Sequence, residues 1–134
     1  IQAAAVLALV VFLGIVFGST VFTRTGTIRQ YELVPFWSWR DIIRYHDWTL
    51  LKENLLNCIL LLPAGVLLPI IANHKVKWYQ ALAVGILVSA IIEFSQLIFM
   101  RGLFEWDDMI HNGLGCMLGS MVTNYIMNVW RKNK

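Results

Sequence analysis

The stretch IIEFSQLIFMRGLFEWDDMIHNGLG, Ile91 to Gly115, gathers the side chains of this chain that are best able to do chemistry. Glu93 lies inside an apolar run, where an ionised carboxylate must be paired, hydrogen-bonded or protonated. Burial would raise its pKa and suit it to general acid/base work, with Asp108 as a second catalytic candidate that orients it or holds a metal. Arg101 can grip a carboxylate or a phosphate with a forked guanidinium, or reach lipid phosphate along the membrane surface. Asp107 and Asp108 open a second apolar run, where the helix dipole and free backbone amides favour an acid as N-cap.

Spacing groups these residues. Ser89, Glu93 and Gln96 follow i, i+4, i+7 and share one helix face; Asp108, His111, Asn112 and Gly115 share another. If the two faces meet they form a polar pocket roofed by RGLFEWDD. The bland alternative is interhelical glue, with Glu93 bonded to Asn112 or His111 and Gln96 and Asn57 tying helices together. His111 with Glu93 and Asp108 lacks the spacing of a metal motif, so no metal site and no cofactor are expected.

The elements that must position these groups are membrane helices. Of 134 residues, 58% are hydrophobic and only 14% charged, with mean hydropathy +0.64. That is too apolar for a water-soluble domain of this length and favours a single polytopic membrane domain over residues 1–134. The fold class expected is all-α: a four-transmembrane-helix bundle with spans near residues 1–22, 50–72, 79–100 and 108–130. Residues 1–22 carry no charge and are not followed by an A-x-A-like site, so they read as a membrane helix rather than a cleaved signal peptide. Pro63 is expected to kink the second span near its middle.

Between spans one and two, SWRDIIRYHDW reads as a short interfacial helix, with Ser38 and Asp41 in a capping box and Trp39, Ile42 and Ile43 on one face. It serves either as an aromatic anchor or as a lid. The pairs Gly14/Gly18 and Gly115/Gly119 have the G-x-x-x-G spacing that lets backbones approach. Cys58 and Cys116 read as free buried thiols. The formal net charge of +3 reflects cations next to the apolar runs, which speaks for topology and lipid headgroups and against nucleic-acid binding.

Four spans place both termini on one side with Lys75, Lys77, Arg131, Lys132 and Lys134. The other side carries Arg24, Arg29, Arg40, Arg44, Lys52 and Arg101. The first group is the denser, so the termini are expected to be cytoplasmic and the cluster to face outward. At about 1.5 Å per residue, Glu93 then lies about 10 Å and Gln96 about 6 Å below the outer end of the third span. Asn57, His111 and Asn112 reach a similar layer from the second and fourth spans.

The order Asn57, LLPAGVLLP, IEFSQ and RGLFEWDDMIHNGLGCMLG resembles the VanZ-like membrane proteins across all four spans. Asn57, Pro63, Gly65, Glu93, Gln96, Arg101, Phe104, Asp107, Asp108, Asn112, Gly115 and Gly119 match the pattern. Glu105 replaces the usual aspartate, and His111 replaces an aliphatic residue. The resemblance implies a bacterial envelope protein of the cytoplasmic membrane, acting in low-level resistance to lipid-tailed glycopeptide antibiotics such as teicoplanin. The ligand-binding set expected from the residues is Asn57, Glu93, Gln96, Arg101, Asp107, Asp108 and Asn112. Arg101 would hold the anionic head of a lipid-linked wall precursor or of the lipoglycopeptide, with membrane lipids as further partners. An intramembrane enzyme using Glu93 as acid/base is the alternative, though only Ser89 and Ser95 offer a nearby nucleophile.

Overall fold

A computed structural model describes residues 1–23, 26 and 28–133; Arg24 and Lys134 of the charge comparison lie outside the described residues. Helix α1, Gln2–Phe17, runs into a π-helical turn over Gly18–Phe22. Then come strand β1, Gln30–Glu32, and helices α2, Trp37–Tyr45, α3, Trp48–Leu60, and α4, Leu62–Ala72. Helix α5, Trp78–Ile98, strand β2, Leu103–Glu105, and helix α6, Trp106–Lys132, complete the chain.

Three stretches are long and apolar enough to cross a membrane: Gln2–Phe22, Trp48–Ala72 and Trp78–Ile98. These correspond to the first three expected spans. Helix α6, where the fourth was expected, has the length, but it carries Asp107, His111, Asn112, Ser120 and Thr123 on buried positions. Its polarity follows from its place. It packs against α3, α4 and α5, so its side chains meet other helices more than lipid.

Three sequence expectations are corrected here. The fold is mostly helical but not purely so, because β1 and β2 pair in parallel with Gln30, Tyr31 and Glu32 opposite Leu103, Phe104 and Glu105. The expected roof RGLFEWDD is therefore partly a strand that turns back into the protein, with Phe104 2% exposed. The reversal uses Met100 at φ 54° and Gly102 at φ 112°, left-handed conformations that a glycine adopts without steric cost. In the second span the helix breaks at Leu61, φ −101° and ψ 6°, two residues before Pro63. Pro63 then occupies the first turn of α4, where its missing N–H removes no helical hydrogen bond.

The third correction concerns α2. It starts at Trp37 after Phe36, with no side-chain cap of its own, so Ser38 lies inside the helix and forms no capping box with Asp41. Asp47 is the local cap that the sequence does provide, accepting from the Thr49 and Leu50 amides at the start of α3.

The glycine pairs divide sharply. Around Gly14 and Gly18 there is nothing within 4 Å of where a Cβ would stand, so this pair does not mediate a close helix contact. At Gly115 and Gly119 a Cβ would collide with the carbonyl oxygens of Cys58 and Leu62, and at Gly65 with that of Cys116. The backbones of α3, α4 and α6 thus touch through glycine. Gly115→Ala is expected to cost about 1–3 kcal/mol by overpacking and to reduce the folded, monodisperse yield. Gly14→Ala should leave yield and melting temperature unchanged, and size-exclusion profiles with thermal melts check both.

At the far end from the reversal, the Asn124 amide clamps the α4–α5 connection: it donates to the Val76 carbonyl at 2.7 Å and accepts from the Val76 amide at 3.2 Å. A small apolar core of Val16, Val21 and Ile92 joins the end of α1 to α5.

Candidate functional site

The start of α6 carries two adjacent acids, and consecutive helical positions diverge by about 100°, so their side chains leave in different directions. Asp107, only 2% exposed, turns toward α2. One carboxylate oxygen accepts from the Phe36 backbone N–H at 2.6 Å and the other from the Ser38 hydroxyl at 2.8 Å. It therefore does not cap its own helix; it places its charge at the N-terminus of a helix some seventy positions earlier, where the dipole welcomes an anion. Ser38 in turn accepts from the Asn54 amide at 3.1 Å. Asp108 turns toward α3 and accepts a short hydrogen bond from the Asn57 amide.

One turn on, His111 holds the same helix α2 at a second point. The Trp39 indole N–H donates to His111 Nε2 at 2.8 Å, and the two rings lie 5.8 Å apart. Accepting on Nε2 puts the proton of the neutral ring on Nδ1. That nitrogen is buried without a partner among the described residues.

The expected meeting of polar faces occurs, with a different division of labour. The Asn112 amide donates to Ser89 Oγ at 2.8 Å, and Ser89 lies 3.5 Å from the Asp108 carbonyl oxygen, so α5 and α6 are joined there. Gln96 donates to the Thr20 carbonyl at 3.0 Å and ties α5 to the π-turn after α1. Glu93, 2% exposed, accepts from the backbone N–H of Glu105 at 3.0 Å and makes further interactions. Rise per residue puts Glu93 about 10 Å below the outer end of the third span, and the loop descends to meet it there.

In front of this framework lies a cavity of about 390 Å³. Its walls are Trp37 and Ser38 of α2, Leu50, Glu53, Asn54, Leu56 and Asn57 of α3, Leu103 and Glu105 of β2, and Asp107 and Asp108 of α6. Of the residues singled out in the sequence, Asn57, Asp107 and Asp108 line it; Glu93, Gln96, Arg101 and Asn112 do not. Sequence reasoning passed over Ser38, Glu53 and Asn54 as wall residues and had Glu105 only as part of the roof. Glu53 and Asn54 had a signal, being polar residues in the first turns of an otherwise apolar span.

The cavity presents four carboxylates, and none of its described lining residues is Lys, Arg or His. Burial is the main cause that pushes the Glu105 carboxyl from about 4.5 up to about 7, followed by the negative charge of Asp108 and, more weakly, of Asp107 and Glu53. The nearby Trp37 indole N–H opposes the rise but does not reach full hydrogen-bond geometry. The folded state holds this proton more tightly than the unfolded chain, so stability falls as pH rises from about 4.5 through 7. Glu105→Gln is accordingly expected to raise the melting temperature at about pH 8 and to leave it unchanged at about pH 4, measured by paired thermal melts.

A family model described as VanZ/LLP1 matches residues 2–128. The chain belongs to the VanZ/LLP1 family. No curated protein and no solved structure matches it. Family membership and the three apolar helices together make it a membrane protein. The residues that carry the VanZ-like pattern separate in space into three jobs. Gly65, Gly115 and Gly119 let α3, α4 and α6 touch, Ser89-bound Asn112 with Gln96 and Glu93 braces α5, and Asn57, Asp107 and Asp108 face the cavity. Among the described residues no three His, Cys, Asp or Glu side chains converge as metal ligands, and in this VanZ-like chain His111 spends Nε2 on Trp39.

Proposed function

We propose that this VanZ-like protein is a binding protein of the bacterial cytoplasmic membrane. Helix α6 is its fourth span, α2 lies in the interface, both termini are cytoplasmic, and the cavity faces outward. In this position it engages the head of an amphipathic envelope molecule, either a lipid-linked wall precursor or a lipid-tailed glycopeptide of the teicoplanin kind, and so gives low-level resistance to that drug. The observation that carries the reading is the cavity with its acceptor-rich wall beside the exposed apolar residues Leu55, Leu56 and Ile59 of α3. A molecule with one polar and one apolar end fits such a border.

The chemistry of the wall sharpens the choice of head group. Carboxylates and amide oxygens receive hydrogen bonds, so the groups that fit are sugar hydroxyls and amines. A bare phosphate would meet like charge, and Arg101, to which the sequence assigned an anionic head, is not part of this wall. Arg101 is then a contact for the lipid surface around the entrance.

The test is antibiotic susceptibility in cells producing equal membrane amounts of the parent and of Asn57→Ala or Arg101→Ala. Loss of teicoplanin protection in Asn57→Ala, with vancomycin susceptibility unmoved throughout, supports the reading. Full protection by a folded Asn57→Ala variant sinks it. Catalysis on an envelope lipid is the second reading, and Glu105 favours it, since a carboxyl titrating near neutrality on the cavity wall can exchange a proton with a bound group. Glu93 would then act through the Glu105 backbone as a positioning residue. Turnover of a purified lipid substrate, lost in Glu105→Gln while binding persists, is what that reading requires.

A further inference from the structure

Helix α2 is attached to the rest of the protein in an unusual way. The residues on either side of it, Phe36 at φ 58° and His46 at φ 53°, are both left-handed, a conformation that bulky side chains rarely adopt. They form non-helical joints at the two ends of this nine-residue helix, the kind of position at which hinges occur. Against α6 the helix is held by polar contacts at two points: Asp107 takes the Phe36 amide and the Ser38 hydroxyl, and His111 takes the Trp39 indole N–H. Its other face is unclaimed by the fold, with Ile43 74% exposed. The first turn of α2 supplies Trp37 and Ser38 to the cavity wall.

We propose that α2 is a hinged lid over the cavity, latched shut by Asp107 and His111 of α6, and that the ligand enters when this latch releases. A purely structural helix would be expected to bury an apolar stripe. This one buries only Ser38 and closes instead with a few directional hydrogen bonds to Asp107 and His111 of α6 and Asn54 of α3, which polar groups of a ligand can replace, so it can open without disturbing the bundle. Incoming ligand donors compete for the Asp107 oxygens that hold Ser38 and Phe36, which links occupancy of the cavity to release. The lid rests on the cavity being the binding site.

The experiment reads opening without any ligand. In a Cys58→Ala background, Leu103→Cys on β2 reports access to the cavity, and native Cys116, 1% exposed, reports unfolding of the bundle. The probe is a cationic, membrane-impermeant methanethiosulfonate applied to protein in lipid nanodiscs. Adding Trp39→Phe, which removes the indole donor while keeping an aromatic ring, or Ser38→Ala is expected to speed modification of Leu103→Cys about tenfold with Cys116 still unreactive. An unchanged rate overturns the lid, as does a rise matched by Cys116. Faster modification in a protein that fails to bind lipoglycopeptide leaves the lid standing and removes the binding reading; binding with an unchanged rate does the reverse.

Discussion

Glu93→Ala is expected to lower folded membrane yield and melting temperature sharply, by a stability loss of about 2–3 kcal/mol, whereas Glu93→Gln recovers a large part of it. The reason is where the carboxylate acts. It takes the backbone N–H of Glu105, the residue that joins β2 to α6 and whose side chain stands in the cavity wall. Alanine leaves that half-buried amide unmet, which costs much of the desolvation of a donor; glutamine still offers an acceptor oxygen. A general acid/base at Glu93 predicts the opposite ranking of consequences, with Gln as inert as Ala in any activity measurement while folding is spared. Comparing yield, melting temperature and teicoplanin protection for the two variants separates the roles. If Gln is as unstable as Ala, the hydrogen bond to Glu105 is not what Glu93 supplies.

How much of this was legible beforehand depends on the range of the interaction. The runs Gln2–Phe22 and Trp78–Ile98 announce themselves because an apolar stretch of that length has few other fates. The meeting of the Ser89 and Asn112 faces followed from helical spacing once two helices were assumed adjacent, whereas rise per residue gave Asn57 only a matching depth and not its bond to Asp108. Counting rise per residue failed at the loop, because it treats everything after Met100 as lying above the helix. A three-residue strand with left-handed turns before it carries no periodic signal, so the descent of Phe104 and Glu105 toward Glu93 was invisible.

The same limit hid the wall of the cavity. Ser38 looked like a local cap because Ser followed at three residues by an acid has that local meaning. Its actual partner is Asp107, and nothing in either neighbourhood names the other. The glycines show the complementary case: Gly14/Gly18 and Gly115/Gly119 have identical spacing, and only the carbonyls of Cys58 and Leu62 tell them apart. Spacing makes a close contact available, and the partner decides whether it is used.

Asp107→Ala is expected to be the second severe change, costing about 3 kcal/mol because two charge-assisted hydrogen bonds go together and leave the Phe36 amide and the Ser38 hydroxyl short of an acceptor. Asp107→Asn keeps one acceptor oxygen, loses the charge that the α2 N-terminus favours, and should fall between alanine and the parent. Its neighbour provides the contrast. Asp108 is tied to Asn57, a side chain that can turn toward solvent or ligand, so Asp108→Asn should cost about 1 kcal/mol of stability or less while weakening ligand engagement. Thermal melts together with lipoglycopeptide binding to protein in nanodiscs resolve the pair: Asp107 variants lose stability first, and Asp108 variants lose binding first. The two carboxylates stand next to each other in sequence, so a single acidic patch acting only through its charge would give both substitutions the same profile. Divergent profiles mean that the first acid chiefly holds the wall in place and the second chiefly engages what enters.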